Sequence, residues 1–260
     1  MKNLGEKLVV IIGNGKSNYN KLSSRRWSIS VLMKVLVACE ESQRVCAAFR
    51  KRGHEAYSCD ILECSGGHPE WHIKADVLPL LNGNVEFTTQ DGTNHYIDDR
   101  WDIILAFPPC THLATSGAPS FAKKREDGRQ REGLEFFCKF FEADCDKVVI
   151  ENPVNIIGGD YCPKWFPDIA QKYGLPRKAT QFIQPYEFGE PTRKKTGLWI
   201  KGLPKLKPTN IVEPELITYT DKNGKVKTDT KWHWYTGKGT GKERSKTFIG
   251  IAEAMAEQWG

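Results

Sequence analysis

Two stretches of the sequence set reactive side chains directly behind apolar runs: WDIILAFPPCTH, residues 101–112, and KVVIENP, residues 147–153. In the first, Pro108 and Pro109 stop the apolar run, because proline has a fixed φ and no amide hydrogen to give to a sheet. They hold Cys110 in a set pose. A positioned cysteine is a strong nucleophile once ionised. His112, two residues on, titrates near neutrality and is a candidate proton relay, or else a hydrogen-bond partner of its own loop. In the second stretch Glu151 follows Val-Val-Ile at once. A carboxylate there must be exposed, paired or bound to a ligand. A thiol and a carboxyl about 40 residues apart, each at the mouth of a buried strand, suit covalent addition supported by an acid.

The elements that would position them follow a βα alternation beginning at Met33. KVLVA reads as a buried strand and SQRVCAAFRKRG as a helix, with Ser42 capping its start and Gly53 ending it. EAYSCDI, HIKADV, WDIILAF and KVVIENP read as further strands, and RQREGLEFFCKFFEA as a helix carrying Leu134, Phe137 and Phe141 at helical spacing. The pattern predicts an α/β fold, a mostly parallel sheet with helices on both faces. Ligands of such sheets bind at the carboxyl ends of the strands, and the endings ACEES, Asp60, FPPCTH and ENP would then share one edge. Farther along, KWFPDIAQKYG reads as a helix, and ATQFIQPYEF and TGLWIKG as strands. ELITYTDKNGKVKTDTKWHWYT reads as two strand-like halves about Asn223-Gly224, and ERSKTFIGIAEAMAEQW as one closing amphipathic helix.

Composition narrows the classes. The chain has 260 residues and a formal net charge of +6, with basic clusters concentrated after Arg177, which is compatible with a nucleic-acid partner. No apolar run is long enough for a membrane span. The eight cysteines sit mostly within apolar stretches and form no CxxC pair, so reduced structural thiols are expected, a metal site is not, and a cytoplasmic setting follows. Residues 1–32 are polar and basic without apolar periodicity. They are expected to be a dispensable extension or a basic arm. The expected division is 33–205 for the core, 206–242 for a small hairpin insert and 243–260 for a helix returning to the core.

The order of PPC then ENP, with HLATSGA, QPYEFG, KTGLW and RSKTFIGIAEAMAEQW in their relative places, resembles the DNA cytosine-5 methyltransferase family, most of all its short phage and prophage members. The resemblance covers about Met33 to Gly260. It implies a Rossmann-like S-adenosylmethionine-dependent fold with a reduced, partly β recognition region, acting on double-stranded DNA. Cys110 would add to C6 of a flipped cytosine, Glu151 would bind its N3 and amine edge, and Arg193 would reach the flipped nucleotide. S-adenosylmethionine would lie along Ala38, Glu40, Glu41, Asp60, Ile61, Asp76 and Phe107, with Asp60 on the ribose hydroxyls and Asp76 on the adenine amine. Glu40 or Glu41 would pair with the ammonium, or else cap the following helix with Ser42.

Three departures stand out. The loop ACEESQ has no glycine where the family's is glycine-rich, Thr111-His112 stands where the family has glutamine, and only about 50 residues separate Thr196 from Thr247. In that segment Trp232, His233, Trp234 and Tyr235 among lysines suit stacking on bases, or simply the packing of a small hairpin. A catalytically silent nucleic-acid-binding relative and an enzyme acting on a free pyrimidine nucleotide remain alternatives.

Overall fold

The structure is a computed structural model and describes residues 32–236 and 241–260. The extension expected at residues 1–32 therefore lies, but for Leu32, outside the described residues. The strands are β1 (Lys34–Ala38), β2 (Glu55–Asp60), β3 (His72–Lys74), β4 (Val85–Thr88), β5 (Asn94–Ile97), β6 (Ile103–Ala106), β7 (Val148–Pro153), β8 (Gln181–Ile183), β9 (Thr196–Lys201), β10 (Leu216–Thr220) and β11 (Val226–Thr230). The helices are α1 (Arg44–Lys51), α2 (Phe121–Glu126), α3 (Arg129–Lys139), α4 (Tyr161–Trp165), α5 (Pro167–Tyr173), α6 (Lys231–Tyr235), α7 (Gly241–Ser245) and α8 (Ile249–Trp259).

Seven strands form one sheet in the order β3-β2-β1-β6-β7-β9-β8, and the pairs β4–β5 and β10–β11 stand apart as two-stranded sheets. From β3 to β7 every pairing is parallel, whereas β9 runs antiparallel to both its neighbours. The protein is thus mixed α/β with a central, mostly parallel sheet. The chain winds outward from β1 to β3, then returns to add β6 on the other side of β1. The β1–β6 junction is therefore the point where connections diverge and a crevice opens at the strand ends.

Burial on both faces explains the unbroken apolar runs. Side chains alternate across a strand. Val35, Val37, Ile103 and Leu105 pack on one face with Val45, Cys46 and Phe49 of α1 and Ile251, Ala252 and Met255 of α8. Leu36, Ala38, Ile104 and Ala106 pack on the other with Leu134, Phe137 and Cys138 of α3 and Ile169 and Ala170 of α5. A fully buried side chain of this size contributes about 1.5–3 kcal/mol, so truncation of Phe49, which is inaccessible to solvent, costs about 3–5 kcal/mol.

Several local expectations are corrected. Helix α1 begins at Arg44 behind Gln43, which adopts the left-handed region at φ 58°, and Ser42 does not cap it. The KWFPDIAQKYG segment is two helices broken at Phe166, because proline cannot supply the amide hydrogen that a continuing helix needs at Pro167. The closing helix is likewise two pieces, with Phe248 as the N-cap residue of α8. In the hairpin, Gly224 takes φ 76° at the turn as expected, but KWHWY is the helix α6 rather than strand, its amides met by the Thr230 hydroxyl, which accepts from His233 N at 3.4 Å. All eight cysteines are free, and five of them are buried. No helix among the described residues is long and apolar enough to cross a membrane.

Candidate active site

The loop that carries Cys110 leaves β6 at Phe107, whose amide makes the last bond to β1, donating to the Ala38 carbonyl at 2.9 Å. Beyond the two prolines, the amides of Leu113 and Ala114 fold back on the Cys110 carbonyl at 3.0 and 2.9 Å. The loop is then laced to the end of the neighbouring strand. Asn152, the middle residue of ENP and 1% exposed, donates from Nδ2 to the Pro108 carbonyl at 2.8 Å and accepts from Asn155 Nδ2 at 3.0 Å. Thr115 N donates to the Val154 carbonyl at 3.0 Å, and Ile156 N to the Leu113 carbonyl at 3.2 Å. Asn152 was not singled out from the sequence. Its signal was available, since a buried amide between a charged residue and a proline must find partners.

Cys110 and Glu151 are brought together by this lacing. Burial pushes the Cys110 thiol up, and the Glu151 carboxylate raises it further, while Lys194 and Arg244 pull it down. Burial also raises Glu151, opposed by Lys194 and by a hydrogen bond from Thr196. Burial thus disfavours the charged form of both groups, and the Glu151 charge adds to the effect on the thiol. The pair sets a potential sulfur nucleophile beside a carboxyl group.

Lys194 and Thr196 reach this edge because β9 is reversed: it starts where the parallel strands end. Thr196 pairs with Pro153 and Leu198 with Glu151. A small cavity behind Glu151 is lined by Ile183, Lys194, Thr196, Thr247, Phe248 and Ile251. Arg193 is exposed. Successive side chains of an extended segment alternate in direction, so it is the next residue, Lys194, that acts on the pair, while its Nζ donates to the Arg244 carbonyl at 2.9 Å. Thr196 and Arg244 were not singled out from the sequence, whereas Lys194 belongs to the basic cluster Arg193, Lys194 and Lys195, whose lysines read as phosphate holders.

His112 lies elsewhere. Its side chain packs against α3 at Gly133, where a Cβ would stand 3.4 Å from the His112 Cβ. Burial and then Lys124 and Arg129 hold its pKa down, and its carbonyl accepts from Gln130 Nε2 at 3.0 Å. The ring thus packs on α3. Its Nδ1 is buried without a hydrogen-bond partner among the described residues.

The ends of β1 and β2 form the neighbouring part of the edge. Ala38 is fully buried, so its side chain belongs to the core and only its backbone faces the crevice. The glycine-free loop still makes a turn of the kind that favours glycine, with Cys39 at φ 60° and Gln43 at φ 58°. Glu40, 4% exposed, accepts from the amides of Val45 at 2.7 Å and Cys46 at 3.1 Å, and burial pushes it up to about 7. It caps α1, the second of the two roles open to it. Glu41 accepts from the Ser65 hydroxyl. Gln43 clamps the loop after β2, accepting from His68 N at 3.0 Å and donating to His68 O at 2.8 Å. Gly66 passes beneath it so closely that a Cβ would lie 2.6 Å from the Gln43 Cβ.

Asp60, at the end of β2, is half-buried. Burial raises its pKa, and one of its oxygens accepts from Leu62 N at 2.9 Å. Ile61 beside it is 73% exposed and Phe107 across the crevice is half-buried. Asp76 is exposed and accepts from Leu78 N at 3.1 Å. Burial raises the Cys39 thiol, and the charges of Asp60 and Asp76 raise it further.

No family model matches the chain, and no curated protein matches it. Among solved structures it is similar to an E. coli protein described as a "putative DNA modification methyltransferase encoded within prophage", with TM-score 0.42 and 15% identity over 70% of this chain. The match spans 52% of that protein, about half its length.

Proposed function

We propose that the protein is an S-adenosylmethionine-dependent DNA cytosine-5 methyltransferase with a Rossmann-like catalytic core. The observation that carries this is the pairing of Cys110 with Glu151 across adjacent parallel strands, locked by Asn152 and flanked by the cations Lys194 and Arg244.

C6 of cytosine is a poor electrophile. Its attack by sulfur needs a group that takes up the electron density pushed onto N3. In its protonated form, which burial favours, Glu151 can donate to N3 and, through its other oxygen, accept from the exocyclic amine. The Cys110 thiolate forms the S–C6 bond, with Lys194 and Arg244 stabilising the anion before attack. C5 becomes nucleophilic as the C5–C6 double bond opens. Loss of the C5 proton after alkylation restores that double bond and expels the thiolate, so the cysteine is regenerated. The base must leave the duplex stack to reach this edge.

The donor set beside the pair suits the methyl donor. Asp60 can take a ribose diol, Ile61 and Phe107 offer apolar surface to a purine, and Asp76 is an acceptor for an exocyclic amine. The Glu40 carboxylate accepts two helix amides and keeps lone pairs that can meet the ammonium. S-adenosylmethionine, when bound, supplies a methyl group activated by its sulfonium. The hairpin β10–β11 and α6, with Tyr219 and Trp234 4.6 Å apart, Trp234 and Tyr235 exposed, and Lys225, Lys227 and Lys231 close by in sequence, is the proposed DNA-contacting element.

A duplex carrying 5-fluorocytosine tests the proposal. Fluorine replaces the proton that must leave, so with the methyl donor present the protein should accumulate as a covalent complex that survives denaturing electrophoresis. Cys110→Ala should abolish it and Glu151→Gln should slow it by about 10²-fold or more, the usual range for loss of a positioned acid. Methylation that persists in Cys110→Ala would reject C5 chemistry and direct attention to the exocyclic amine, which needs no thiol.

A further inference from the structure

A chain of contacts joins the β10–β11 hairpin to the thiol. His233, on α6, donates from Nδ1 to Asp229 of β11, and its Nε2 meets the guanidinium of Arg244 on α7. A guanidinium can only donate. Nε2 is therefore the acceptor from Arg244, and Nδ1 is the atom that faces Asp229. The next link is the Arg244 carbonyl, which accepts from Lys194 Nζ at 2.9 Å. A second route leaves the same hairpin base. Thr230 and Thr192 are each 2% exposed and joined hydroxyl to hydroxyl at 2.9 Å, two residues before Lys194. Trp232 of α6 packs on Phe248 with ring centroids 5.1 Å apart, and Lys194 Nζ lies 5.9 Å from that same Phe248 ring. Both routes converge on Lys194, and Lys194 and Arg244 are the cations that act on Cys110.

We propose that Asp229 and His233 are positioning residues that hold Arg244 and Lys194 against the Cys110–Glu151 pair, so that the seating of the hairpin sets the reactivity of the thiol. This rests on Cys110 being the nucleophile of the proposed reaction and adds to it a cause for the hairpin's placement: the element that would contact DNA is wired to the group that attacks the base. The ring has Asp229 on one side and Arg244 on the other.

Alkylation of Cys110 by iodoacetamide in the free, full-length protein tests the coupling. The rate is followed on the Cys110 peptide by mass spectrometry between about pH 6.5 and about pH 10, the range in which thiols ionise. Asp229→Asn and His233→Ala should each move the profile to higher pH and slow the reaction at pH 8 by roughly threefold, the change for half a pH unit. His233→Gln keeps an acceptor for Arg244 and a donor for Asp229 and should bring the rate back toward wild type. Thermal melts of each variant separate this from a folding defect, and Asp229→Asn decides if His233→Ala does not fold. Unchanged profiles in folded variants, or a His233→Ala defect that His233→Gln does not relieve, would overturn the proposal. Alkylation needs neither DNA nor a methyl donor. An unchanged profile with a normal fluorocytosine adduct therefore removes only the coupling, while shifted profiles with no adduct remove only the methyltransferase assignment.

Discussion

Replacing Glu40 with glutamine should reshape the dependence of stability on pH. The carboxyl is buried and takes up its proton at about 7 in the folded chain, against an ordinary value of 4.5. Between those values the folded state holds a proton that the unfolded state has lost. Stability must then fall as pH rises through the interval. Each pH unit is worth about 1.4 kcal/mol, so the decline attributable to Glu40 is about 3 kcal/mol. Below the interval the neutral carboxyl and the glutamine amide are close in shape and acceptor capacity, and the two proteins should be equally stable. Above it the wild type carries a buried anion, relieved by the amides of Val45 and Cys46, and the variant does not. Urea unfolding at intervals from about pH 5 to about pH 8 should show the stability of the wild type minus that of Glu40→Gln falling by about 3 kcal/mol. Only this difference is diagnostic, since Asp60 and Glu151 are also raised and contribute declines of the same sign in both proteins. Parallel curves would show that the two helix amides outweigh burial and keep Glu40 ionised throughout.

Cys39→Gly should leave stability unchanged or raise it by up to about 1 kcal/mol in the same assay, since relief of a left-handed conformation is partly offset by the entropy of glycine in the unfolded chain. Asn152→Ala should cost about 2–4 kcal/mol through two broken buried hydrogen bonds, and fluorocytosine trapping should slow with it. Asp60→Ala should weaken S-adenosylmethionine binding by roughly 1–3 kcal/mol in calorimetry without lowering the alkylation rate of Cys110. Gly250→Ala should destabilise markedly in thermal melts, because the added Cβ would fall 1.8 Å from the Phe188 carbonyl oxygen.

The central sheet was legible because strands buried on both faces leave unbroken apolar runs, and β1, β2, β6 and β7 lie where those runs stand. The β4–β5 hairpin escaped notice. Only Phe87 and Ile97 of its eight strand residues are buried, so its pattern is mostly polar, although Asp91-Gly92 marks the turn. At the site, Cys110 and Glu151 were readable from their strand-end positions. Lys194 was not separable from Arg193 and Lys195, because which of three consecutive cations faces inward depends on the direction and pairing of β9, a tertiary fact. Glu40 carried two readings for a similar reason: a carboxylate four residues before a helix can meet a ligand or the helix itself, and only the backbone path through Cys39 decides.

The cross-links between the loops after β6 and β7 also bear on how the site opens. The amides of Thr115 and Ile156 point in opposite directions across the same seam, each toward the other loop. Neither loop can lift away without releasing both amides and the Asn152–Pro108 link together. Deuterium should therefore enter at Thr115 and Ile156 at one common rate. That rate reports a single cooperative opening of the two segments that carry the thiol and the carboxyl, rather than the fraying of either one.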